Sequence, residues 1–153
     1  MARHKAREQT LQMLFEWDLR RTPLDEIANG YYGSLLVRED SVAEPRPDEF
    51  ALDLLRGVTG DIQSIDELIT RHAAHWRLER MPAVDRNVLR LAVYEMLRTE
   101  TPAPIVIDEA IELARRFAGE ESVQFVNGVL DAVKRELPAK APAIAASAGL
   151  PAD

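Results

Sequence analysis

Cysteine is absent from the 153 residues. That excludes disulfides, thiolate zinc sites and cysteine nucleophiles. Aromatic residues are scarce, with two Trp, three Tyr and four Phe. Beside abundant Ala and aliphatic side chains, this scarcity suits a helical bundle better than a β-sandwich. No apolar run approaches the ~20 residues that span a bilayer. Met1-Ala2-Arg3-His4-Lys5 is followed by no apolar stretch, so no signal peptide is read there, and a cytoplasmic location is expected. A phosphate-cradling Gly-rich loop and a nucleophile elbow are missing too. No catalytic activity and no cofactor are expected.

Positive charge is also in short supply, for the formal net charge is −7. Nucleic-acid binders usually carry a basic balance, but distribution matters more than the total. Arg3, Lys5 and Arg7 precede the first acid, Glu8, while acids crowd residues 25 to 67. The chain reads as an acidic body with a small basic N-terminus.

Apolar spacing predicts helices throughout one domain. The first covers Ala2 to Arg20, with Leu11, Leu14, Phe15 and Leu19 on its buried face and Met13 and Trp17 as a second stripe. Thr22-Pro23-Leu24-Asp25 restarts the chain with capping chemistry. The next helix is expected to be short or strained, because Gly30 and Gly33 each weaken it by about 1 kcal/mol. Residues 38 to 47 read as an exposed loop. One long helix is predicted from Asp48 to about Trp76, bent at Gly57 or Gly60, and then a short turn from Leu78 to Met81. Asp85 to Leu97 is apolar nearly all round and should be central. Thr101-Pro102-Ala103-Pro104 breaks it, Ile107 to Phe117 is helical, and Gly119 ends that helix. Ser122 is expected to cap the last helix, which Pro138 stops. Residues 138 to 153 read as a disordered Ala/Pro-rich tail.

Several patterns invite chemistry, and each has a simpler explanation. His72 and His75 have the spacing of a metal pair but no third ligand near in sequence, so a structural or surface role is preferred and no metal is expected. Gly30-Tyr31-Tyr32-Gly33 matches the KH-domain clamp, yet that clamp needs a sheet beside it. Asp108, Glu109 and Glu112 open a helix, where the macrodipole favours negative charge. Arg3, Lys5 and Arg7 could neutralise about three phosphates. Phe15 could stack an unpaired base if it reached the surface, although it fits the buried stripe.

Four segments add a resemblance. They are Lys5-Ala6-Arg7-Glu8 with Leu11 to Asp18, then Val84 to Glu95, Ile107 to Phe117, and Phe125-Val126-Asn127-Gly128-Val129-Leu130. In order and spacing they resemble the NusB family of antitermination factors, from about Arg3 to Leu137. The resemblance implies an all-α fold, a compact bundle of six to seven helices in two subdomains, at about 1–76 and 77–137. It implies binding of single-stranded boxA RNA of ribosomal transcripts, together with the ribosomal protein NusE and the RNA polymerase antitermination complex. Carried over residue by residue, Arg3, Lys5, Arg7 and Arg86 would meet phosphates. Phe15 and Phe125 would offer rings, and Asp85 would accept from a base edge. Asp108 and Glu112 could face a basic partner protein. Phe15 stands where the family often has Tyr, and Gln124 where some relatives carry a basic residue. The basic leader is thin, so RNA binding is expected to be weak alone and tight with NusE. Other readings are a protein-interaction module, monomeric or self-associating, and the NusB-like domain appended to an RNA methyltransferase. The free-standing factor is preferred.

Overall fold

The first helix, α1, spans Ala2–Arg20 as its periodicity predicts. The structure is a computed structural model that describes residues 2–38, 47–73 and 75–138. Ala6, Leu11, Met13 and Leu14 are buried on α1, but Phe15 is 44% and Leu19 75% exposed. Both were expected inside. At 3.6 residues per turn the buried arc centres on Ala6, Thr10, Met13 and Leu14, and positions 15 and 19 fall past its edge. Small residues let α1 approach the third helix, α3, Glu49–Gly60. There the buried Thr10 hydroxyl reaches the carbonyl of Ala51 (3.1 Å) as well as that of Ala6 (3.0 Å) in its own helix.

Helix α2, Leu24–Arg38, runs unbroken through Gly30 and Gly33, contrary to the expected short element. Tertiary anchors offset the weak propensity. Ile27 and Tyr32 are buried, and the Tyr31 and Tyr32 hydroxyls bond Gln12 (2.5 Å) and Gln9 (2.8 Å) of α1. The Gly-x-x-Gly stretch is therefore helix and not a clamp loop. The predicted loop lies mostly in residues 39–46, outside the described residues.

The single long helix predicted after Asp48 is two helices. Asp48 caps α3, its Oδ1 accepting from Ala51 N–H at 3.1 Å. The chain then breaks at Asp61, whose N–H bonds the carbonyls of Gly57 (3.1 Å) and Val58 (3.3 Å). Helix α4 follows as Ile62–His72, so Trp76 lies beyond its end. A single 3₁₀ turn, Leu78–Arg80, then leads to Pro82.

Helices α5 (Ala83–Arg98), α6 (Ala103–Phe117) and α7 (Glu120–Glu136) complete the chain. Helix α5 is central, touching α1, α3, α4, α6 and α7. Its inner side carries Val88, Leu89, Leu91, Ala92, Val93 and Met96, all buried. Ser122 does not cap α7. The helix starts two residues earlier, after Gly119, whose φ of 139° is one that a side chain disfavours. Among the described residues there is no strand, and no helix is long and apolar enough to cross a membrane. The expected disordered tail lies outside the described residues apart from Pro138.

Gly57 of α3 lies directly against the Tyr94 ring of α5, where an added Cβ would overlap the ring carbon that bears the hydroxyl. Gly57→Ala should therefore cost about 1–3 kcal/mol, the range for overpacking, read as a lower urea midpoint with unchanged slope.

Candidate nucleic-acid interface

The site begins with how α1 lies on α5. Near one end Arg7 meets Glu95 through two bonds, Nε–Oε2 at 2.8 Å and Nη2–Oε1 at 2.7 Å, both side chains buried. Near the other, Asp18 is clasped by Arg86 (2.6 Å) and Arg90 (3.0 Å) of α5. Asn87 Nδ2 joins them at 3.3 Å. Arg90 continues to Asp66 of α4 through two bonds, at 2.9 and 3.0 Å. These pairings make α1 and α5 antiparallel.

Two of the residues expected to meet phosphates are engaged within the fold. Arg7 is 4% exposed and its fork is filled by Glu95. Arg86 gives Nε to Asp18 (2.8 Å) and Nη1 to the carbonyls of Leu78 (3.1 Å) and Met81 (3.0 Å). It ties the connector before α5 to the end of α1. Both guanidiniums hold the fold together, and the donors spent on these bonds are not available to a phosphate.

Arg3 and Lys5 do reach the surface. Arg3 lies over the Phe50 ring, 4.7 Å from its centroid. They stand beyond Glu95, whereas Asp85 starts α5, so at 1.5 Å per residue the two groups are roughly 20 Å apart. His4 beside them is drawn towards α6 by Glu109 (2.7 Å).

The second group is a pocket of about 270 Å³ where the N-terminal ends of α5 and α7 meet, lined by Trp76, Met81, Pro82, Asp85, Glu121, Ser122 and Phe125. Trp76 is 53% exposed and meets Phe125 edge to face, centroids 6.0 Å apart at 68°. Asp85 is 4% exposed, and its Oδ1 is buried with no hydrogen-bond partner among the described residues. An unmet acceptor of this kind is costly, which marks it as a place for a ligand donor. Sequence reasoning missed Trp76 because the periodicity carried it to the end of a helix.

Phe15 lies in a different place. With Leu11, Gln12, Val84 and Phe117 it lines a nearly apolar groove of about 190 Å³. Val84 lines this groove and Asp85 the aromatic pocket, so consecutive residues of α5 serve the two sites. Asp108 and Glu112 are exposed on α6, and Glu112 pairs with Arg115 at 2.7 Å. A cleft of about 570 Å³ between α1 and α2 includes Gly30 and Tyr31 of the Gly-x-x-Gly stretch but none of the residues expected to meet RNA. His72 bonds Glu136 of α7 at 2.9 Å and His75 is exposed, so the two histidines do not act together.

Burial alone would raise the Asp18 carboxyl, but the hydrogen bonds and charges of Arg90 and Arg86 more than offset this and hold it at about 2. The carboxylate therefore adds stability above its unfolded pKa of 3.8 that is lost as pH falls towards 2. Acid titration should show roughly 2 kcal/mol lost across that window, and Asp18→Asn should remove that pH dependence. Arg7→Ala, which removes both bonds from the guanidinium to buried Glu95, should cost about 3–5 kcal/mol by urea denaturation.

Comparison with known proteins gives one consistent answer. The family model described as the NusB family matches residues 4–135. The transcription antitermination protein NusB of Solibacter usitatus is 58% identical over 137 residues, covering 90% of this chain and 91% of that protein. That of Koribacter versatilis is 48% identical, covering 90% and 92%. Among solved structures, T. maritima NusB superposes with a TM-score of 0.74 at 37% identity, covering 92% of this chain and 93% of that one. A chain from the crystal structure of antitermination factors NusB and NusE in complex with dsRNA gives 0.73 at 28% identity, covering 89% and 98%.

Proposed function

This chain belongs to the NusB family, and from that premise we propose that it is an RNA-binding transcription antitermination factor, acting with NusE on single-stranded boxA RNA. It works in the cytoplasm by assembly and catalyses no reaction. The observation that carries this reading is the aromatic pocket over Asp85. Two rings, one half exposed, stand beside a carboxylate oxygen that lacks a donor. That suits an unpaired base, which stacks on an aromatic face and donates N–H from its edge. Arg3 and Lys5, roughly 20 Å away along the α1–α5 seam, anchor phosphates of the same strand. Phosphate contacts position the strand and the pocket contacts discriminate.

The Phe15 groove has a different character. Almost wholly apolar, with exposed Leu19 one turn along α1 from Phe15, it suits a protein partner, and we assign it to NusE. Asp108 and Glu112 would add acidic contacts to a basic ribosomal protein. The same groove supports the second reading, a protein-interaction module that self-associates. The division into subdomains at about 1–76 and 77–137 fits this scheme, with RNA laid across the seam that α1 and α5 form.

Fluorescence anisotropy with boxA RNA tests the reading. Binding should be weak for the protein alone and tight with NusE present; equal affinity in both would sink it. Arg3→Ala with Lys5→Ala should lower affinity and make the slope of log K against log salt shallower by about 1.4, at ~0.7 per phosphate on single strands. Arg7 is left intact because removing it tests the fold. Phe15→Asp should weaken NusE capture in a pull-down while leaving the urea midpoint nearly unchanged, as expected for an exposed side chain.

A further inference from the structure

On this acidic chain most exposed arginines are already paired. Arg56 holds Asp53 (3.2 Å), Arg98 holds Asp61 (2.9 Å), and Arg115 holds Glu112 and Glu120 (2.7 and 2.9 Å). Arg77 and Arg80, like Arg20 at the end of α1, differ. Both are exposed, and among the described residues neither guanidinium has a hydrogen-bond or acidic partner. They belong to the connector that forms one wall of the aromatic pocket. Arg77 follows Trp76 directly, and Arg80 precedes Met81 and Pro82, which line the same pocket. The Arg80 N–H bonds the Arg77 carbonyl at 3.0 Å, closing a turn that holds the two Cα atoms within about 7 Å. The turn is itself fixed, since Arg86 ties the carbonyls of Leu78 and Met81 to Asp18 of α1.

We propose that Trp76, Arg77 and Arg80 are RNA-contacting residues: one unpaired base packs against the Trp76 and Phe125 rings with an N–H towards Asp85 Oδ1, and the phosphates beside it are met by Arg77 and Arg80. This rests on the RNA-binding reading above and extends it to a second phosphate anchor, at the opposite end of the seam from Arg3 and Lys5. Three independent features converge on it. The exposed indole offers a stacking face. The buried carboxylate oxygen lacks a donor. Among the described residues neither arginine has an acidic partner, although Glu121 also lines the pocket. Arginine suits this position because its planar fork meets phosphate in a two-pronged manner.

The test is an anisotropy titration of fluorescein-labelled single-stranded boxA RNA with the protein–NusE complex at several salt concentrations. NusE affinity is measured separately without RNA. Arg77→Ala with Arg80→Ala should weaken RNA binding about tenfold and make the salt slope shallower by about 1.4, for two phosphates at ~0.7 each. Arg77→Lys with Arg80→Lys should keep most of the slope. Trp76→Ala should weaken binding about 5- to 100-fold, the range for loss of one base–aromatic stack. In case Trp76→Ala disturbs the fold, Trp17→Phe leaves Trp76 as the only indole, and RNA should then quench its fluorescence. Unchanged affinity and slope in the arginine variants, with unquenched Trp76, would overturn the proposal while leaving the RNA reading intact if the unaltered complex still binds. Parallel loss of NusE affinity would also overturn it, by making the connector a protein contact. Failure of the unaltered complex to bind RNA would remove both readings together.

Discussion

The charge ladder between α1 and α5 is the constraint from which the rest of the structure follows. Arg7–Glu95 sets one end, and Asp18 with Arg86 and Arg90 sets the other. Apolar packing alone is tolerant of sliding, because many registers bury similar area. A two-pronged buried pair is not tolerant, because displacing it leaves charge without a partner. Arg90 extends the ladder to Asp66 of α4, and Arg86 extends it to the connector carbonyls. One set of ion pairs thus orients four pieces of chain. It also sets the distance between the basic N-terminus and the aromatic pocket.

The ladder also sorts the cations. A chain with a net charge of −7 has acids to spare, and most arginines are drawn into pairs. Among the described residues, those left over include Arg3 and Lys5 at one end of the seam and Arg77 and Arg80 at the other, with Arg20 and Lys134 elsewhere. Positive charge is therefore local. A charge distribution of this kind favours an anionic strand along the seam over the acidic remainder of the surface. Beside that seam the start of α5 serves two chemistries at once, with Val84 in the apolar Phe15 groove and Asp85 in the aromatic pocket. The two sites are neighbours, so an RNA strand and a protein partner can occupy this end of the bundle side by side.

What was legible in the sequence was local. Helical class, the extent of α1 and the central place of α5 followed from spacing, because the 3.6-residue period acts within each segment. Absence of cysteine excluded disulfides and thiolate chemistry outright. The family resemblance, resting on four ordered motifs, pointed to RNA and NusE, and it brought Asp85 and Phe125 forward before any geometry was available. Only tertiary structure decided the fate of individual charges and rings. Arg3, Lys5 and Arg7 look alike in sequence, yet Arg7 is consumed by Glu95, which lies 88 positions away. Phe15 and Leu19 share a spacing with Leu11 and Leu14, but whether the edge of an apolar stripe is covered depends on which helix lies against it. Gly30 and Gly33 weaken a helix in isolation, and contacts from α1 restored it. The free Arg77 and Arg80 and the unmet Asp85 oxygen could be found only in three dimensions. The physical reason is common to all of these: periodicity is a property of one element, whereas pairing and exposure are properties of two elements brought together.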